Sequence, residues 1–108
     1  LGLSKGQLGV IHAFASTRQA KQNNVVIAHE MLHTFGASDK YDLATSLPIY
    51  PQGYAEPQRQ PRFPQDFAEI MGGRIPLSAN QAEMPASLDE TLIGSETARE
   101  IGLLRSTR

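Results

Sequence analysis

The feature that most constrains this chain is a proline-rich segment at residues 44–65. It reads ATSLPIYPQGYAEPQRQPRFPQ and holds five of the seven prolines in the sequence. Proline lacks a backbone N–H and clashes with the preceding helical turn, so the segment excludes a regular helix and predicts an irregular surface loop. Long loops in small domains tend to be functional or mobile. The regular elements must lie on either side of this segment.

Length and composition narrow the class of protein. With 108 residues the chain is sufficient for one domain with one modest core. A formal charge of −1 and the lack of any Lys/Arg run argue against a nucleic-acid partner. The apolar runs are far shorter than the ~20 residues that a membrane span needs. Cysteine is absent, so any metal must be bound by nitrogen and oxygen ligands. Nothing in the composition indicates an oligomeric state.

The first part of the chain predicts one strand. The run GVIHAFAS, residues 9–16, mixes β-branched and aromatic residues and is followed by the polar stretch STRQAKQNN, which predicts a loop. His12 lies on this strand and is expected to be structural. Because the chain is strand-like within its first ten residues, we expect the upstream part of a larger domain or protein to be missing.

A helix is predicted from Asn24 to Phe35, and it has the clearest pattern in the chain. Its apolar residues recur at helical spacing, with Asn23 or Asn24 as the N-cap and Gly36 just after the end. The apolar face of this helix comprises Val25, Ala28, Met31, Leu32 and Phe35.

The end of the chain predicts a second helix. Ser87 and Glu90 form a capping-box pattern, and Ser95 offers a further N-cap. Ala98, Ile101 and Leu104 then form a narrow apolar stripe, which favours a C-terminal helix of about three turns.

Two histidines on the first predicted helix indicate metal chemistry. Residues four apart on a helix share one face, so His29 and His33 can both direct an imidazole nitrogen to one ion about 2.0–2.1 Å away. Glu30 lies roughly 100° around the helix, where it is badly placed as a third ligand on that face but can reach a metal-bound water. The spacing therefore predicts a zinc site with Glu30 as general base.

A catalytic zinc usually has three protein ligands, and Asp39 is the leading candidate for the third. Gly36 can end the helix in a conformation that lets the chain turn back and deliver a side chain three residues later. Glu69 is an alternative third ligand, since other zinc peptidases use a glutamate from well downstream. Asp42 is expected to be a turn residue, with calcium binding or competition for the zinc as alternatives.

The complete pattern, HExxHxxGxxD over His29–Asp39, resembles that of metzincin-type zinc peptidases with aspartate as the third ligand, as in snapalysin-like enzymes. GASDKYD, residues 36–42, is similar to the segment that follows HExxH in immune-inhibitor-A-like peptidases. The sequence EIMGG around Met71 also resembles the Met-turn beneath a metzincin metal, where Met71 would have a packing role.

This resemblance implies an α+β fold over residues 1–108: a metzincin-like zincin catalytic domain, truncated at its N-terminus. Its expected elements are a strand, the active-site helix, an irregular loop, the Met-turn and a C-terminal helix. The strand at residues 9–16 would be the edge strand that aligns substrate. A secreted or periplasmic location is implied by the resemblance alone.

The expected function is zinc-dependent endopeptidase activity on a peptide or protein substrate. Zn²⁺ bound by His29, His33 and Asp39 would activate a water, and Glu30 would move its proton. The alternative is a non-catalytic or incomplete domain that binds peptide. The tyrosines that follow the motif, which could donate to an oxyanion, are expected to cover surface instead: Tyr41, Tyr50 and Tyr54.

Overall fold

A long N-terminal helix dominates the structure. The computed structural model describes residues 5–103, with side chains from residue 20 onward. Helix α1 spans Lys5–Thr34, 30 residues. The predicted strand at residues 9–16, the loop after it and the helix start at Asn23 or Asn24 are therefore wrong. His12 lies within α1, and its side chain lies outside the described residues.

The reason for the misassigned strand is physical. The preference of a short β-branched run for strand depends on packing context, and periodicity cannot separate a short strand from one part of a helix. The polar stretch that follows is rich in Ala, Gln, Lys and Arg and contains no proline or glycine. These residues lose little conformational freedom in a helix, so a helix can continue through the stretch.

The strands are short and form two separate pairs. Strand β1 is Ala68–Glu69, β2 is Ile75–Ser78, β3 is Gln81–Glu83 and β4 is Thr91–Leu92. β1 pairs in parallel with β4, whereas β2 and β3 form an antiparallel hairpin with an irregularity between Pro76 and Ser78. With α1, these pairs make a small α+β domain.

The core lies where the C-terminal part of α1 meets the turn after β1. Val25, Ala37, Ile70 and Met71 are buried there, and three half-buried residues pack against them: Ala28, Leu32 and Ile101. The predicted apolar face of α1 is thus only partly correct. Met31 and Phe35 belong to the same stripe but leave 54% and 62% of their surface exposed.

The C-terminal region is less helical than predicted. Residues Leu88–Glu90 form one 3₁₀ turn in which the Ser87 hydroxyl accepts the backbone N–H of Asp89. Helix α2 spans only Ser95–Glu100, and its N-cap is Gly94 rather than Ser95. The expected length of three turns is wrong, since Ile101 already leaves the helical conformation and Gly102 has φ = 87°.

The proline-rich segment contains no helix or named strand, as predicted. It is nevertheless anchored. The Tyr54 ring is buried and stacks edge-on against Tyr50 and Phe63, at centroid distances of 5.1 and 5.8 Å. The Gln65 side chain hydrogen-bonds the backbone of Glu56 at both N–H and C=O. Among the helices that the structure describes, none is long and apolar enough to cross a membrane.

Candidate functional site

The two histidines of α1 are held by backbone carbonyl groups. His29 Nδ1 lies 2.9 Å from the carbonyl oxygen of Ile70, and His33 Nδ1 lies 2.9 Å from that of Ala37. A carbonyl oxygen can only accept, so each Nδ1 carries the proton. In the neutral imidazole each Nε2 atom then keeps its lone pair. The two carbonyl contacts fix the ring orientation, and the neutral tautomer with Nε2 free is the one that can bind a metal.

Asp39 lies against both free nitrogens. Its Oδ1 atom is 3.0 Å from Nε2 of His29 and 2.8 Å from Nε2 of His33. The three side chains predicted as ligands therefore converge on one point, although the sequence separates His29 from Asp39 by ten residues. The His29 side chain is only 13% exposed, while His33 and Asp39 are about one-third exposed. The point of convergence is thus open on one side.

The surroundings of His33 favour its protonated form. The hydrogen bond to the Ala37 carbonyl raises the pKa of His33 above its ordinary value. Partial burial opposes this rise, and the negative charge of Asp39 reinforces it. A carboxylate next to two imidazoles favours positive charge between them, which a proton or a metal ion can supply.

The turn that delivers Asp39 is a Schellman motif. The Ala37 N–H donates to the Leu32 carbonyl at 3.0 Å, and the Gly36 N–H donates to that of His33 at 3.1 Å. Gly36 has φ = 108°, so the positive φ predicted at this position is confirmed. A β-carbon at Gly36 would also lie 3.1 Å from the Glu100 carbonyl oxygen. Glycine is required here for both reasons.

Glu30 is exposed and lies beside the histidines. Ligand atoms of His29, Glu30 and His33 all lie within 4.8 Å of one another. By distance, these three side chains could hold one metal ion together, although the sequence indicated that Glu30 is badly placed as a ligand. The exposed carboxylate of Glu30 therefore lies close enough to take part in the chemistry of the site.

Met71 lies in a tight turn beneath the histidines. It is fully buried in the core, and the N–H groups of Gly72 and Gly73 both donate to the Glu69 carbonyl. The turn also supports the site directly. The Ile70 carbonyl orients His29, and the Met71 carbonyl accepts the Lys40 N–H at 2.9 Å. Two successive carbonyls thus position one histidine and the loop that carries Asp39.

Glu69 has a structural role that the sequence did not reveal. It is completely buried, and its Oε1 accepts the N–H groups of Met71 and Gly72 at 2.7 and 3.0 Å. Its Oε2 accepts the Gly94 N–H at 2.8 Å. Both oxygens are therefore engaged by backbone donors, which removes Glu69 as an alternative third ligand.

A buried ion pair supports the Asp39 loop from the other side. Lys40 Nζ lies 2.6 Å from Oε1 of Glu100, and only 5% of the lysine is exposed. Glu100 also accepts the backbone N–H and the hydroxyl of Ser38. Burial alone would raise the pKa of Glu100, but these hydrogen bonds lower it to about 2. The network ties α2 to the residues that flank Asp39.

Of the remaining candidate residues, only Tyr41 lies near the histidines. Asp42 accepts the N–H groups of Ala44 and Thr45 through one oxygen, so its turn role is confirmed. Tyr50 and Tyr54 belong to the aromatic cluster of the proline-rich segment. Tyr41 differs: its ring centroid is 6.2 Å from that of His29, and it lines a cavity shared with His29 and Glu30.

No protein-family model, curated protein or solved structure matches this chain. The resemblance to metzincins therefore stays a prediction.

Proposed function

We propose that this chain is a zinc-dependent endopeptidase. One observation supports this function best. The Oδ1 atom of Asp39 lies within 3.0 Å of both Nε2 atoms, while both Nδ1 protons are donated to backbone carbonyls. A metal site with two histidine ligands and one aspartate ligand would use this same arrangement.

The donor set fits zinc. Two imidazole nitrogens and one carboxylate make a three-ligand site of the kind found in catalytic zinc centres, with a fourth position left for water. Donor atoms around a tetrahedral zinc are roughly 3.3 Å apart, given ligand bonds of about 2.0–2.1 Å. The observed separations of 2.8 and 3.0 Å need to open by only a few tenths of an ångström. Asp39 is partly exposed and lies in a loop, so this adjustment is small.

The residues of the chain then have distinct roles. Bound zinc would supply Lewis acidity and lower the pKa of a water molecule toward neutrality. The carboxylate of Glu30 accepts a proton from the attacking water and returns it to the leaving amine. The backbone carbonyls of Ile70 and Ala37 keep the two imidazoles oriented throughout. Met71 supports the turn that provides the first of these carbonyls.

Tyr41 is a candidate for stabilising the oxyanion. It was expected to cover surface, but its half-buried ring lies beside His29 on the wall of the cavity that also contains Glu30. A phenol donor next to the reacting carbonyl would stabilise the charge that develops there.

A second function has its own supporting observation. Residues 9–16, which were predicted to form a strand that aligns substrate, lie in α1 instead. Among the described residues, every strand follows the active-site helix in the sequence. The runner-up is therefore a metal-bound domain that binds peptide without cleaving it.

Casein digestion separates the two functions. If the chain is a peptidase, it should cleave casein, a chelator should abolish this cleavage, and added zinc should restore it. Glu30→Gln should retain one zinc per chain and lose turnover, while Glu83→Gln, an exposed carboxylate on β3, should keep both. Cleavage that survives the chelator, or a fully active Glu30→Gln protein, contradicts the peptidase. A zinc-loaded wild-type chain that never cleaves favours the binding domain.

A further inference from the structure

A cavity of about 230 Å³ opens beside Glu30 and His29. Its wall is partly apolar, and the residues that form this part come from α1, from the turn after β1 and from the position after β3: Val25, Val26, Ile70 and Met84. A cavity of this size is much larger than the space of about 30 Å³ that one water occupies in the liquid. It can hold a side chain of several heavy atoms.

One basic residue lines the same cavity. Arg74 follows the Gly72–Gly73 turn, directly before β2, and is half-buried. Among the side chains that the structure describes, no carboxylate forms an ion pair with it. Among the other described arginines, Arg59 and Arg99 pair with carboxylates, whereas Arg62 contacts the hydroxyl and ring of Tyr50. A guanidinium beside a partly apolar cavity can pair with a carboxylate that enters with a ligand.

We propose that this cavity receives the side chain of the substrate residue next to the scissile bond, and that Arg74 selects an acidic one. The proposal rests on the proposed function for the location of the scissile bond near Glu30. The apolar walls would hold the methylene groups of a glutamate, and the guanidinium would pair with its carboxylate. A glutamine of the same size forms weaker hydrogen bonds, and a lysine is repelled.

The negative charge of Glu30 also lines the cavity and opposes this preference. It lies on α1, whereas Arg74 is on a separate segment. An acidic side chain must therefore approach Arg74 and avoid Glu30, which orients the peptide as well as selecting it. A charge-assisted hydrogen bond that forms out of water can produce roughly tenfold discrimination.

Binding to the zinc-loaded Glu30→Gln chain tests the pocket without turnover. Three fluorescent alanine-based peptides would differ only in a central Glu, Gln or Lys, and anisotropy would give their Kd values. Because this substitution removes the opposing charge, it favours detection of the preference. We expect the Glu peptide to bind about tenfold more tightly than the Gln peptide and the Lys peptide to bind most weakly.

Variants at Arg74 identify the source of the preference. Arg74→Gln should remove it, Arg74→Lys should keep part of it, and Arg74→Glu should shift it toward the Lys peptide. Arg99→Gln, outside the cavity, should leave it unchanged. Equal affinity for the Glu and Gln peptides, absence of binding for both, or a preference that persists in Arg74→Gln overturns the proposal.

The wild-type chain distinguishes failure of this proposal from failure of the function. If cleavage is chelator-sensitive but the Glu and Gln peptides bind equally well, the peptidase function stands and the proposed selection of acidic side chains is contradicted. If the Glu peptide binds in an Arg74-dependent way but no cleavage occurs, the selection of acidic side chains stands and the peptidase function is contradicted.

Discussion

The Oδ1 atom of Asp39 lies 2.8 Å from Nε2 of His33 and 3.0 Å from Nε2 of His29. Replacing Asp39 with Asn removes the charge and keeps the size. We expect zinc affinity to fall by at least about 100-fold, because even changing a residue that only hydrogen-bonds a metal ligand costs about 10- to 100-fold. Competition with a chromophoric chelator measures the affinity.

Asp42→Asn provides the matched control for this measurement. Asp42 uses its carboxylate to hold the turn at Ala44 and Thr45, and an asparagine oxygen can accept the same two bonds. Zinc affinity should remain at the wild-type value. If the Asp39→Asn variant kept its zinc and the Asp42→Asn variant lost it, Asp42 rather than Asp39 would be the ligand.

Glu69 should affect stability rather than zinc coordination. Its buried carboxylate accepts three backbone N–H groups, at Met71, Gly72 and Gly94. Glu69→Ala leaves these donors unsatisfied and should lower the free energy of unfolding by about 3 kcal/mol or more. Urea denaturation measures the loss, and the exposed Glu83→Ala should change stability by no more than about 0.5 kcal/mol. Equal losses for the two variants would contradict the structural role.

Gly36→Ala should weaken zinc binding although no ligand is changed. The residue has φ = 108°, and a β-carbon would lie 3.1 Å from the Glu100 carbonyl oxygen. Strain of about 1 kcal/mol or more should shift the loop that carries Asp39. Gly102 also has a positive φ, but nothing lies within 4 Å of its β-carbon position. Gly102→Ala is therefore expected to be strained without any loss of zinc affinity, which titration of both variants can check.

The proximity of the residues in the HExxHxxGxxD pattern depends on short-range spacing. His29 and His33 are one helical turn apart, and Gly36 and Asp39 follow within a single Schellman turn, so local geometry almost determines their positions. The length of α1 was not predictable in this way, because the run at residues 9–16 is compatible with a strand or a helix.

Long-range pairs account for most of what the sequence did not reveal. Lys40 and Glu100 are 60 residues apart, and His29 reaches the Ile70 carbonyl across 41 residues. No periodicity or motif links such positions, since the contacts arise only after packing brings the elements together. Arg74 was missed as a candidate, and Tyr41 was considered but expected to cover surface, because the relevance of both comes from a cavity rather than from a motif.

Tyr41→Phe tests the predicted oxyanion donor. Zinc content and substrate KM should change little, while kcat should fall on the order of 100-fold if the phenol stabilises developing charge. Tyr50→Phe is the control, since its hydroxyl bonds Pro57 and Arg62 within the proline-rich segment. Equal kcat values for wild type and Tyr41→Phe would show that the Tyr41 hydroxyl does not stabilise the oxyanion and that the residue only covers surface.

The Lys40–Glu100 pair should make stability depend on pH in a defined window. The pKa of Glu100 in the folded chain is about 2, below its ordinary value of 4.5. A lowered folded pKa contributes stability that is fully present above pH 4.5 and is lost as the pH falls toward 2. At neutral pH this contribution should be roughly 1–3 kcal/mol, since Glu100 is partly exposed.

Urea unfolding of wild type and Glu100→Gln between pH 7 and pH 2 measures this window. The stability difference between them should be constant above pH 5 and shrink steadily below pH 4.5. Glu96→Gln is the matched control on the same helix, because Glu96 forms an exposed pair with Arg99 that should contribute little. A difference between wild type and Glu100→Gln that stays constant down to pH 2 would show that the Glu100 carboxylate is not held ionised by Lys40. Since Glu100 also binds Ser38, next to Asp39, we expect Glu100→Gln to weaken zinc binding at neutral pH as well, by less than Asp39→Asn does.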